Sequence, residues 1–120
     1  MTLKVAIVQA AAASGTPTFN QDFTDPTTFG GATPKAAIFL ASIATANNTA
    51  TATINQAIGW VATTGQAAVS IEDNDASSPN AANSANFSTQ AYAMVSSAAS
   101  TTGDATGSLI ADGARLVFRP

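Results

Sequence analysis

INQAIGWVATTGQAAVSIED, residues 54–73, is the stretch whose reading decides the fold. In its first half Ile54, Gln56, Ile58 and Trp60 recur at every second position, and in its second half Ala67, Val69 and Ile71 do the same. Successive side chains of a strand point to opposite faces, so a period of two marks two half-buried strands. Ala62-Thr63-Thr64-Gly65 supplies the turn that folds one back on the other. Trp60 is read as the core anchor of the sandwich, because a lone tryptophan in a small β domain usually buries its indole. Exposed, it would instead be a platform for stacking on a sugar.

The rest of the chain repeats the pattern in shorter pieces. Thr2 to Gln9 alternates as a first strand, with Leu3, Val5 and Ile7 on one face, and is preferred to a signal peptide because it has almost no basic leader. Ser14-Gly15-Thr16-Pro17 breaks it, and Thr18 to Phe23 alternates as an edge strand. Phe19, Phe23 and Phe29 fall in a loop-rich stretch, 14–34, where they either plug one end of the sandwich or form an arm that docks on a neighbour. Lys35 to Ala44 is the most apolar run, with Ile38 and Leu40 opposite Ala37, Phe39, Ala41 and Ile43, as expected of a central strand covered on both faces or at a subunit contact. Asn47-Asn48 is turn chemistry, 74–84 reads as a long polar loop, and Gln90 to Ser97 alternates again around Tyr92 and Met94. Thr101-Thr102-Gly103-Asp104 reads as a turn. The chain ends in a hairpin, Gly107–Ala111 and Ala114–Arg119, across Asp112-Gly113, a pair suited to a type I′ turn. Turns at this spacing without helical periodicity predict an all-β fold: one antiparallel β-sandwich over residues 1–120, jelly-roll-like, with 1–34 as an N-terminal strand and possible arm and 35–120 as the core.

Composition narrows function by exclusion. The 120 residues hold no cysteine and no histidine, which removes disulfides, Cys and His metal sites and the commonest general base together. With 9% charged residues and a net charge of -3 there is no basic footprint for nucleic acid, and no apolar run is long enough for a membrane helix. So few ions make it cheap to bury surface against a neighbour, since little charge need be desolvated. Glu72-Asp73-Asn74-Asp75 offers oxygen ligands for a hard cation, although sequential acids in a loop are usually solvated. Asp104 and Asp112 sit at turns and form no paired-carboxylate site. The serines and threonines have no evident activating base, and Gly30-Gly31 lacks the lysine of a phosphate loop. No enzyme activity, catalytic residue, metal or cofactor is expected.

Three segments, GATPKAAIFLASIAT (31–45), INQAIGWVATTGQAAVSIEDND (54–75) and ATGSLIADGARLVF (105–118), resemble a recurrent class of bacteriophage virion proteins. There a Gly-x-x-Pro-Lys-Ala segment leads into an apolar strand, an I-x-x-x-I-G-[FW] strand and turn follow, and a D-G hairpin closes the chain. Trp60 stands where that class usually has Phe, and residues 1–30 lie outside the likeness. The resemblance implies a β-sandwich building block of a phage particle. It would be a capsid decoration or cement protein binding the major capsid protein and copies of itself, with a trimer as the expected oligomer and Phe19, Phe23 and Phe29 as contacts. The alternative it implies is a tail or head fibre domain that contacts host-surface glycan through Trp60 and Tyr92. Either belongs to a virion assembled in the bacterial cytoplasm.

Overall fold

Residues 54–73 fold as the hairpin their alternation predicts. In the computed structural model, which describes residues 4–7, 19–42, 53–74, 81–95 and 101–119, β3 (Thr53–Ala62) and β4 (Gly65–Asn74) pair in unbroken antiparallel register, closed at Ala62↔Gly65 by Thr63 and Thr64. The remaining elements are β1 (Phe19–Thr24), a one-turn helix α1 (Pro26–Phe29), β2 (Ala36–Ser42), β5 (Ala81–Phe87), β6 (Tyr92–Val95), β7 (Thr101–Ile110) and β8 (Gly113–Phe118). They assemble two four-stranded antiparallel sheets, ordered β1-β8-β7-β6 and β2-β3-β4-β5. The chain is therefore the antiparallel β-sandwich expected; it changes sheets between β1 and β2 and between β5 and β6, and β1 closes on β8.

The core is made of small residues. Phe39, Val61, Ala91, Ala105, Ala114 and Leu116 form its buried cluster, and Phe23, Ala37, Tyr92, Leu109 and Phe118 pack around them. With alanine at half of the central positions the sheets come close together. A Cβ on Gly59 would lie 1.8 Å from the Ala91 carbonyl oxygen, and one on Gly107 would lie 2.6 Å from the Ala91 Cβ. Side chains of one sheet consequently reach the backbone of the other. The Asn55 amide donates to the Val95 carbonyl at 2.6 Å, and the Ser70 hydroxyl accepts from the Val95 N–H at 3.1 Å. Gln66 does the same near the turn, donating to the Thr89 carbonyl and accepting from the Gly107 N–H at 2.6 Å. Each such bond contributes about 1 kcal/mol net, and the Asn55 Oδ1 is the exception among these atoms, buried without a hydrogen-bond partner among the described residues.

Several expectations are corrected. Residues 4–7 carry no strand, and Val5 and Ile7 are 68% and 96% exposed; the other residues of the expected first strand lie outside the described ones. β2 is an edge strand and not a central one: Phe39 faces the core while Ile38 and Leu40 face outward. β4 continues to Asn74 and β5 begins at Ala81, so most of the expected polar loop that is described is strand. Residues 101–104 open β7 instead of turning the chain. Asn47-Asn48 lies outside the described residues.

The last turn also differs from expectation. Ile110 pairs with Gly113, leaving Ala111 and Asp112 as the loop, and Asp112 is the one non-glycine described residue with positive φ, 63°. A type I′ turn needs two such residues, so it is not formed. Gly113 serves a different end: a Cβ there would fall 1.9 Å from the Phe23 carbonyl oxygen of the neighbouring strand β1. Asp112 in turn ties α1 to the hairpin. Its N–H donates to the Ala32 carbonyl at 3.1 Å, its carbonyl accepts from Asp25 at 2.9 Å, and its carboxylate accepts from the Gly31 N–H.

Overpacking at the sheet-to-sheet contact is expected to be severe. Gly59→Ala should lower unfolding free energy by about 1–3 kcal/mol or more in a denaturant titration. Gly103→Ala, whose Cβ would meet nothing within 4 Å, should cost far less. Equal losses at the two positions would count against the close approach.

Candidate functional site

The strand pleat sends Ile38 and Leu40 of β2, Gln56, Ile58 and Trp60 of β3, and Ala67, Val69 and Ile71 of β4 away from the core. Register sets them in rows. Ile38, Trp60 and Ala67 lie side by side, then Leu40, Ile58 and Val69, then Ser42, Gln56 and Ile71. Ile38, Leu40, Ile58, Trp60, Val69 and Ile71 are between 42% and 76% exposed. No charged side chain interrupts these rows, and Ser84 and Asn86 of β5, both exposed, border them next to Ile71 and Val69. A shallow depression at one corner is lined by Leu40, Ala41, Ser42, Gln56, Ala57 and Ile58. The result is a contiguous apolar face with a polar margin, the kind of patch that marks an interaction surface.

The core-anchor reading of Trp60 is thereby corrected. Its parity was legible but the sign was reversed: Ala57, Gly59 and Val61 face inward, because the backbone of β6 lies too close above Gly59 for a large side chain. Trp60, 42% exposed, lies on the outer face with its ring edge near Gly65. Tyr92 lies elsewhere, in the other sheet, its ring edge-on to Phe118 at 5.3 Å and its hydroxyl pKa raised by burial. The two aromatics do not form one platform.

Phe19 and Phe23 belong to β1, hydrogen-bonded to β8 from Phe19↔Phe118 to Thr24↔Gly113. Phe19 stacks on Phe118 at 4.6 Å, and Phe23 tilts against Phe39 at 5.6 Å. Phe29 ends α1 and is half-buried. Asp25 caps that turn, Oδ1 accepting from the Thr28 N–H at 3.0 Å and Oδ2 from the Thr28 hydroxyl at 2.7 Å, while left-handed Gly30 closes it. Glu72 and Asp73 are neighbours on β4, so the pleat sends them to opposite faces: Glu72 is buried and Asp73 half-buried. Asp75 lies outside the described residues, among which no three acidic groups come together.

Two ion pairs lie on the other sheet. Asp22 and Arg115 are directly opposite across β1 and β8 and pair through two bonds of 2.6 and 2.8 Å. Arg119 pairs with Asp104 at 3.2 Å. The bonds from Arg115 hold the Asp22 carboxyl below its ordinary range, and the Thr28 hydroxyl and N–H do the same for Asp25. Sequence reasoning did not nominate the bridging groups Asn55, Ser70 and Gln66; of the outer face it offered the 35–44 strand as an alternative subunit contact and Trp60 as an alternative sugar platform. The one available signal was the small residues, Ala57 with Gly59 and Ala68 with Ser70, on the opposite parity of the same hairpin.

No protein-family model, no characterised protein and no solved structure matches the chain.

Two outcomes follow from this geometry. Trp60, the single tryptophan, should emit at long wavelength and be quenched readily by acrylamide; a blue-shifted, protected emission would mean that the face is turned inward. Carboxyl values lowered by folding contribute stability above the unfolded value, near 4, and lose it as pH falls through the folded one. Denaturant midpoints should therefore decline in acid, and Asp25→Asn should flatten part of that decline.

Proposed function

We propose that the chain is a structural protein of a bacteriophage particle, a capsid decoration or cement protein that stabilises the head by binding across capsomers. The observation that carries this reading is the difference between the two outer faces. The face of β2-β3-β4 is bulky, apolar and uncharged, whereas the opposite sheet turns the Asp22–Arg115 pair to solvent. A protein held against a shell needs one surface for the shell and another for water. The likeness of residues 31–45, 54–75 and 105–118 to virion proteins supplies the particle.

On this reading the protein acts by occupancy and requires no reacting group. Each bound copy adds its own binding free energy to the assembled shell and none to the dispersed subunits, which shifts assembly by mass action. Contacts made by linked copies add avidity. The partners are the major capsid protein and further copies of this chain, and the place is the virion, assembled in the bacterial cytoplasm. Loss of Ile38, Leu40, Ile58 or Val69 from water drives docking, and few ions need be desolvated.

A second reading rests on Trp60. Its half-exposed indole suits stacking on a sugar ring, as in a fibre domain that recognises host-surface glycan. Its neighbours weigh against that use, because sugar sites need several convergent polar groups, whereas Ile38 and Ala67 flank Trp60 and the polar Ser42, Gln56, Ser84 and Asn86 stand at the margin.

Undecorated shells of the phage that encodes the chain, mixed with purified protein and sedimented, are expected to carry it down and to resist heat better. Leu40→Lys and Val69→Lys, both at exposed positions, should fold normally yet reduce binding at least tenfold. Failure of the unaltered chain to bind shells, with binding on a glycan array, would favour the second reading. Unimpaired binding by both lysine variants would remove the face from the interface.

A further inference from the structure

A sheet edge presents unpaired N–H and C=O groups, and proteins usually protect it by shortness, bulges, charge or proline. Two of the four edges here have some such protection. β6 is four residues long and its register shifts between Met94 and Val95. β1 carries Asp22 and runs into Asp25-Pro26. β5, AANSANF, is seven residues in unbroken register with β4 and lacks these devices, but it presents polar Ser84 and Asn86 to solvent where β2 presents bulky aliphatics. β2 has none of these: it is seven residues, AAIFLAS, in unbroken register with β3, and Pro34 and Lys35 stop short of it. Ile38 and Leu40, 73% and 76% exposed, stand on it.

The strand is also nearly symmetric about Phe39. Ile38 and Leu40 flank it, then Ala37 and Ala41, then Ala36 and Ser42. Antiparallel pairing of two copies about a twofold axis through residue 39 sets each residue opposite its counterpart on the far side of that axis. Ile38 of one copy then meets Leu40 of the other, and the reverse, on the outer face. Ala37 meets Ala41 on the inner face, and Phe39 meets Phe39 at the centre. No charge meets a like charge and no bulky residue meets a gap.

We propose that β2 pairs edge to edge with β2 of a second copy in this register, joining two four-stranded sheets into one and fusing their apolar outer faces. This inference deepens the reading of the chain as an assembling structural protein and rests on that reading for self-association, with a twofold pair in place of the trimer suggested by the sequence. Edge pairing alone covers less than the roughly 800 Å² per partner of a standard interface, so the isolated pair is weak. The fused face is twice that of one copy, which doubles the apolar surface offered to a shell.

The chain has no cysteine, so introduced ones report without interference. Directly opposite residues lie within disulfide reach, whereas diagonal ones, roughly 7–8 Å apart, do not. Ile38→Cys and Leu40→Cys chains, mixed and oxidised, should give a linked pair containing one of each, while either alone gives far less. Val69→Cys, on the same face but away from the edge, should not link. Circular dichroism and Trp60 emission establish that each variant is folded. Linkage no greater in the mixture than in the single variants overturns the register. Linkage through Val69→Cys as readily as at the edge overturns edge pairing in favour of face-to-face contact. Because isolated chains are used, failure here leaves shell binding untouched, and failure to bind shells leaves the pairing untouched.

Discussion

The Ala91 carbonyl oxygen occupies the space where a side chain at position 59 would begin. That one approach fixes much of the molecule. It brings β6 close onto β3 and β4, within reach of Asn55 and Ser70, whose side chains then take over the N–H and C=O of Val95 at the point where the β6–β7 ladder is interrupted. It requires small residues around it, and the chain supplies Ala57, Gly59, Ala68, Ala91, Ala93, Ala105 and Gly107. A contact so tight leaves no room on the inner face of β3 for isoleucine or tryptophan.

The consequence appears on the far side of the same sheet. Side chains alternate strictly along β3, so placing Ala57, Gly59 and Val61 inward places Gln56, Ile58 and Trp60 outward. A shift of one residue would reverse both sets and drive the Trp60 indole into the Ala91 backbone. The apolar outer face is thus the necessary counterpart of a core built from alanine and glycine, and the bulky aliphatics stay available for a surface outside the chain.

This explains which parts of the structure could be read from sequence. The two hairpins, the edge strand at Phe19–Thr24 and the strand at Tyr92–Val95 are local patterns of alternation and turn residues, and local patterns are visible in one dimension. Periodicity gives parity but not sign: it shows that Ile58 and Trp60 share a face, and hydrophobicity alone assigns that face to the core. What overrules it is the backbone of β6, more than thirty residues away in sequence, which only the fold brings near. The same limit applies to Asp112-Gly113. The pair reads as a turn, yet at Gly113 the Phe23 backbone of the paired strand β1 leaves no space for a Cβ, a long-range demand that local turn chemistry does not express. Asn55, Ser70 and Gln66 look like ordinary polar strand residues until the opposite backbone is in place.

The distribution of charge completes the argument. The chain has four cationic side chains; Arg115 and Arg119 are held against Asp22 and Asp104 on the β1-β8-β7-β6 sheet, Lys35 precedes β2 without entering it, and Lys4 is exposed outside any strand. The rows from Ile38 to Ile71 receive none. With 9% charged residues, a random scatter would leave many surface patches neutral, so neutrality alone decides little. The coincidence of three features decides more: bulky aliphatics on the neutral face, an unguarded edge strand bordering it, and near-symmetry of that strand about Phe39. A soluble monomer gains nothing from any of them, and each raises its tendency to associate. An assembling protein uses all three together, since pairing at the edge brings two uncharged faces into one plane.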